Sequence, residues 1–126
     1  PVYQRSYATA TCDGILALTC LEGADDLLAE AKGWLKAHSD WSIPEGIPQD
    51  HPQQWHRVMF YYHLSVRAQV YGKLAWEGDW RAEMMAQLKG KQAEDGSFSN
   101  PEGAANKEND PLLATAMVVR ALCAAL

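Results

Sequence analysis

"KQAEDGSFSNPEG", residues 91–103, closes one helical run and leads into the next. Asp95-Gly96 signals a turn. Phe98 places an aromatic just past it, and Pro101-Glu102-Gly103 makes a second break. An earlier stretch, "AHSDWSIPEG" at 37–46, follows another helical run in much the same way. The same punctuation used twice points to a repeat.

Working outward from these two stretches, helical periodicity dominates. Val, Ile and Thr are scattered, and no alternating period-two run is present. The pattern predicts an all-α chain of five helices, at about 6–21, 25–38, 53–75, 79–91 and 110–126. Asp110 followed by Pro111 is a strong helix start, because the carboxylate accepts from free first-turn amides and Pro has no N–H to lose. Asp79 is expected to cap the fourth helix, and Asp25 or Asp26 the second.

The helices alternate in kind. "ATATCDGILALTCL" (8–21) is small or apolar nearly all round, with Asp13 its only charge. The run at 56–72 carries two apolar stripes, and "PLLATAMVVRALCAAL" (111–126) has the single charge Arg120. Helices of that type must be covered on most sides. Between them lie helices with one stripe each: Leu27, Leu28, Ala31, Trp34, Leu35 and His38, then Trp80, Met84, Met85 and Leu88. The order inner, outer, inner, outer, inner predicts a double layer of helices. A shift of 53 residues supports it. Ala29-Glu30 falls on Ala82-Glu83, Leu35-Lys36 on Leu88-Lys89, and Arg67-Ala68 on Arg120-Ala121. A shift of 106 places Ala8-Thr9-Ala10 on Ala114-Thr115-Ala116.

The totals are compatible with one domain over 1–126, since 48% of the residues are apolar. A net charge of −5 with no basic cluster argues against nucleic acid. No uncharged apolar run is long enough for a transmembrane segment. Cys12, Cys20 and Cys123 are no disulfide framework, and all three are expected to be buried thiols among Ala and Leu.

"QAEDGSF" (92–98) resembles the Gln-x-x-x-Gly-x-Trp repeat of terpenoid cyclases such as squalene–hopene cyclase, with Phe98 in the Trp position. "DWRAEMMAQLKGKQAEDGSF" (79–98), "DPLLATAMVVRALCAAL" and "SYATATCDGILAL" (6–18) are similar to segments of bacterial cyclase-like proteins of the prenyltransferase and squalene oxidase repeat family. The likeness runs through essentially the whole chain. It implies a partial α/α toroid of about two and a half helix pairs, part of a ring of about six pairs. In it Gln92 would end an outer helix and be tied to the next inner helix through the aromatic ring. Because the chain opens on Pro1 and ends on an inner helix, it is expected to be a C-terminal piece of a longer protein.

The resemblance further implies an apolar cavity for a long substrate such as an isoprenoid. The cyclases' Asp-x-Asp-Asp proton donor is missing, and Asp25-Asp26 reads as a helix start instead. Asp13 is the one candidate catalytic acid, with Arg67 or Arg120 as candidate partners. Tyr7, Asp13, Tyr61, Tyr62 and His63 are the candidate substrate-binding residues. Aromatic faces of Tyr3, Tyr7, Trp55, Phe60, Tyr61, Tyr62 and Tyr71 suit either a cation-stabilising lining or plain packing between layers. No cofactor is expected. A zinc site from Cys12, Asp13 and His63 is the minor alternative, disfavoured because helix neighbours point ~100° apart. His51, His56 and His63 lack metal-binding spacing and are expected at the surface or in caps. The rival function is a non-catalytic helical-repeat scaffold or protein-binding module. In either case the flanks of a cut ring predict self-association or a partner at the open end.

Overall fold

The computed structural model of the chain describes residues 5–126, so Tyr3 lies outside the described residues. Among these the fold is all-α, without strands. The helices are α1 (Ala8–Leu18), α2 (Asp25–Ala37), α3 (Trp55–Val58), α4 (Phe60–Lys73), α5 (Trp80–Leu88) and α6 (Pro111–Ala125). A 3-10 turn at Ala104–Asn106 precedes α6.

Two helix starts follow the sequence. The Asp79 carboxylate accepts from the Ala82 amide (3.4 Å), and the Asp110 carboxylate from the Leu112 amide (2.9 Å). Two expectations are corrected. Neither Asp25 nor Asp26 caps α2. The hydrogen-bond ladder already begins at the Ala24 carbonyl, which accepts from Leu28 N–H (2.9 Å), so both acids lie in the first turn. There they favour the positive helix end by charge alone. The single helix expected over 53–75 breaks at Met59, which has φ −100° and ψ 31°.

α4 lies between α1 and α6, and α2 packs on α1. The buried positions keep one register across the three helices. Ala8, Cys12 and Ile15 in α1 match Tyr61, Ser65 and Ala68 in α4, and Ala114, Val118 and Ala121 in α6. α4 is covered on nearly every side. α6 is not: Leu112, Val119, Leu122 and Leu126 form an exposed apolar stripe opposite its packed face. Leu27 of α2 and Met85 of α5, read as stripe residues, are also exposed, because each lies to one side of its helix's single packed edge. Only Cys12 is buried; Cys20 and Cys123 are exposed near the C-terminal ends of their helices.

An aromatic nest joins α4, α5 and the first punctuated stretch. Trp41 stacks on Trp80 (6.1 Å between ring centroids), and Tyr71 meets both edge-on. Arg67 is fully buried beside it, 5.6 Å from the ring centroids of both Trp41 and Tyr71. Its guanidinium donates to the Tyr71 hydroxyl (2.9 Å) and to the His38 carbonyl (2.7 Å). Such pairing with π faces and carbonyls is what makes an uncompensated buried cation tolerable.

Both punctuated stretches fold alike. In each, an Asp accepts from the amide and hydroxyl of a Ser two residues on: Asp40 from Ser42, Asp95 from Ser97. Each also buries an aromatic, Trp41 inside the turn and Phe98 just after it. Gln92 stays exposed and closes its own turn by donating to the Gly96 carbonyl (3.0 Å). Phe98 makes the link to the following helix, its amide donating to Thr115 Oγ1 of α6 (2.9 Å).

Each stretch, the second together with the residues up to Glu108, also reaches back to an earlier helix. The Glu45 carbonyl accepts from Ala8 N–H at the start of α1 (2.8 Å). Glu108, fully buried, accepts from Tyr61 N–H (2.9 Å) and Tyr62 N–H (2.7 Å) at the start of α4. These amides are ones that a helix end leaves without partners.

Candidate functional site

The five candidate residues divide into two groups. Tyr61 and His63 are enclosed. Tyr61 packs edge-on against Phe98 (6.0 Å) and is 1% exposed. His63 is fully buried, contrary to a surface or capping role, because α4 is covered on both flanks. Its Nε2 lies 3.2 Å from the Asp40 carbonyl, which can only accept, so Nε2 carries the proton. Nδ1 then accepts from the Thr9 hydroxyl at 3.4 Å. Burial first, and then the charge of Arg67, holds the imidazole neutral, with its pKa lowered to about 3.

Tyr7, Asp13 and Tyr62 keep open surface. The Tyr62 hydroxyl donates across the α1–α4 junction to the Asp13 carboxylate, 3.0 Å from one oxygen and 3.2 Å from the other. Tyr62 lies nine residues before Tyr71 on α4. That is half a turn about the axis at ~100° per residue, so the pair faces away from the aromatic nest. Burial pushes the Asp13 carboxyl up, and Tyr62's hydrogen bond works against that. The Tyr62 phenol is pushed up too, first by burial and then by the Asp13 charge. Arg120 opposes that rise, and Tyr7 adds to it. Asp13 thus has Tyr62 as its hydrogen-bond partner in place of Arg67, which is turned into the nest, or Arg120, whose charge bears on the Tyr62 phenol.

Tyr7 also forms one wall of an open cleft of about 750 Å³. Ile47, Pro48, Trp55 and Met59 give it apolar walls, and Arg5 and Asp50 add one charge of each sign. Ile47 and Pro48 enter this cleft only because the first Pro-Glu-Gly loop folds back on α1, a contact without a local sequence signal.

The zinc set does not assemble. Both ring nitrogens of His63 have protein partners, and burial pushes the Cys12 thiol up to about 12, far from the thiolate that binds metal. Among the described residues no three His, Cys, Asp or Glu side chains are grouped to hold an ion. Of the remaining histidines, His51 accepts from the Gln53 amide at an exposed turn (3.2 Å). His56 is buried, a correction, because α3 packs against the second Pro-Glu-Gly loop, whose Asn100 donates to the Arg57 carbonyl (2.8 Å).

Comparison of the chain with protein-family models, curated proteins and solved structures gave no match. No helix among the described residues is long and apolar enough to cross a membrane.

Proposed function

We propose that the chain is a wall segment of an α/α toroid of the terpenoid cyclase and prenyltransferase kind, and that its open face holds an apolar, isoprenoid-sized ligand. The Tyr62–Asp13 hydrogen bond carries this reading. It sets a polar anchor, with a carboxyl that holds its proton more tightly than usual, on the side of α4 away from the aromatic nest. Tyr7 connects that anchor to an apolar cleft large enough for a small lipid. The double use of the Asp-x-Ser turn and the shared burial register support the repeat architecture.

Asp13 would meet the polar end of the ligand, and Tyr7, Trp55 and Met59 its hydrocarbon. Native mass spectrometry of the purified protein with farnesol tests this. The expected result is a one-to-one adduct, weakened roughly 3- to 10-fold by Tyr62→Phe, the loss of one hydrogen bond. Absence of any adduct, or one indifferent to both Tyr62→Phe and Trp55→Ala, would remove the reading.

A second reading, a helical-repeat module that binds protein or its own copies, is favoured by the exposed stripe of α6. Leu112 there is 81% exposed and Val119 52%. Light scattering decides it: association that Val119→Glu abolishes supports the module, and a monomer at high concentration counts against it.

A further inference from the structure

A second cleft, of about 420 Å³, opens between the two Pro-Glu-Gly stretches. Ser42 and Ile43 come from the first stretch, and Ser99 and Pro101 from the second. α3 contributes His56, the start of α4 contributes Phe60, and Gln87 and Lys91 come from α5 and the turn after it.

Ser42, Asn100, Arg57 and Glu102 have partners within the protein, but His56 Nδ1 and Lys91 do not have a hydrogen-bond or ion-pair partner among the described residues. His56 is 5% exposed, and its Nδ1 has no hydrogen-bond partner among the described residues. A buried ring nitrogen left so is costly and asks for a reason. Among the described residues Lys91 has no carboxylate within ion-pair distance, and its ammonium lies 5.0 Å from the Phe60 ring centroid. Arg57 and Glu102, also at this cleft, pair with one another at 3.1 Å and so offset each other. The lining is left with one unmatched positive charge, with amide and hydroxyl donors from Gln87 and Ser99, and with apolar walls from Ile43, Phe60 and Pro101.

We propose that this cleft binds a small monocarboxylate with an apolar body, its carboxylate on Lys91 and its hydrocarbon against Phe60. A single unpaired cation matches a single negative charge, and a donor-rich lining favours a ligand that only accepts. The apolar walls favour an aryl or alkyl acid over an inorganic ion. The site is independent of Asp13 and Tyr62, so it stands or falls apart from the toroid reading.

Benzoate is the probe, titrated into isotope-labelled protein and followed by amide and His-ring NMR shifts. Saturable shifts are expected at Lys91, Ser99 and His56. Lys91→Ala is expected to weaken binding about tenfold, as loss of a charge-assisted contact would, and Lys91→Glu to abolish it. Lys91 is exposed, so neither variant threatens the fold. Lys36→Ala, which removes an exposed cation on α2 away from both clefts, is expected to change nothing. The proposal is overturned if benzoate gives no saturable shift, if Lys91→Ala leaves the affinity unchanged, or if benzyl alcohol binds as well as benzoate. Tighter binding of phosphate than of benzoate would overturn the monocarboxylate assignment.

Discussion

The two Pro-Glu-Gly loops do one job with different chemistry. Each turns on an Asp-x-Ser hydrogen bond, buries an aromatic and satisfies the amides at the start of an earlier helix. The first loop does this with a backbone carbonyl, Glu45 to Ala8. The second is longer and does it with a side chain, Glu108, whose carboxylate also accepts from Asn100 (3.1 Å) and Asn106 (3.4 Å). A backbone solution leaves the residue type free as far as α1 is concerned; the Glu45 carboxylate has only an exposed bond within its own loop, accepting from the Asp40 amide (2.9 Å). A buried carboxylate makes one residue indispensable, since its desolvation is offset only while all its donors are in place. Burial pushes the Glu108 carboxyl up even against four donors, so this second solution is held under electrostatic tension.

The largest expected effect tests that contrast. Glu108→Ala strands the Tyr61 and Tyr62 amides and should cost about 3–5 kcal/mol in urea unfolding. Glu45→Ala, which keeps the carbonyl, should cost far less; equal costs would dissolve the distinction. The glycines come next. Gly46 has φ +94°, and a Cβ there would run into the Ser6 carbonyl oxygen, so Gly46→Ala should lose about 3 kcal/mol. Gly103 has an ordinary φ of −86°, so crowding alone counts there: its Cβ would meet the Glu108 Cβ at 2.6 Å and the Asn100 side-chain nitrogen and carbonyl oxygen at 3.1 Å. Gly103→Ala should therefore cost about 1–2 kcal/mol, by the same measurement.

A pH titration of stability sharpens the comparison further. His63 joins the first loop to α4 through Asp40, and its lowered pKa means that the unfolded chain binds the proton more tightly. Stability from this group is complete above about pH 6.5 and is lost as pH falls toward the folded value, roughly 2 kcal/mol by pH 5. His63→Gln should remove that part of the slope. Glu108, with its pKa raised, works in the opposite sense and adds stability as pH falls. The smallest effect belongs to Arg120, the equivalent of Arg67 under the 53-residue shift. Arg120→Ala on the surface should stay within about 0.5 kcal/mol, whereas Arg67→Ala in the nest should not.

Much of the helical pattern is legible locally. Asp79, Asp110 and Pro111 mark their helix starts because a cap is a contact over two or three residues. The break at Met59 is not legible, because the acid that receives the Tyr61 and Tyr62 amides stands 47 and 46 residues further on. Of the candidate site, Asp13 and Tyr62 meet, but their bond spans 49 residues and depends on how α1 lies against α4. Tyr61 and His63 neighbour Tyr62 in sequence yet point into packing, since each step along the helix turns the side chain by ~100°.

The sequence by itself determined that this chain is helical, where most helices begin, and that its turns recur. Those outcomes rest on periodicity, caps and turn residues, which act over a few residues. Tertiary structure alone decided that Glu108 caps α4, that Arg67 is buried among aromatics rather than paired with Asp13, and that His56 and Lys91 share a cleft. Each of these depends on burial, and burial is a property of which distant segments come to lie side by side.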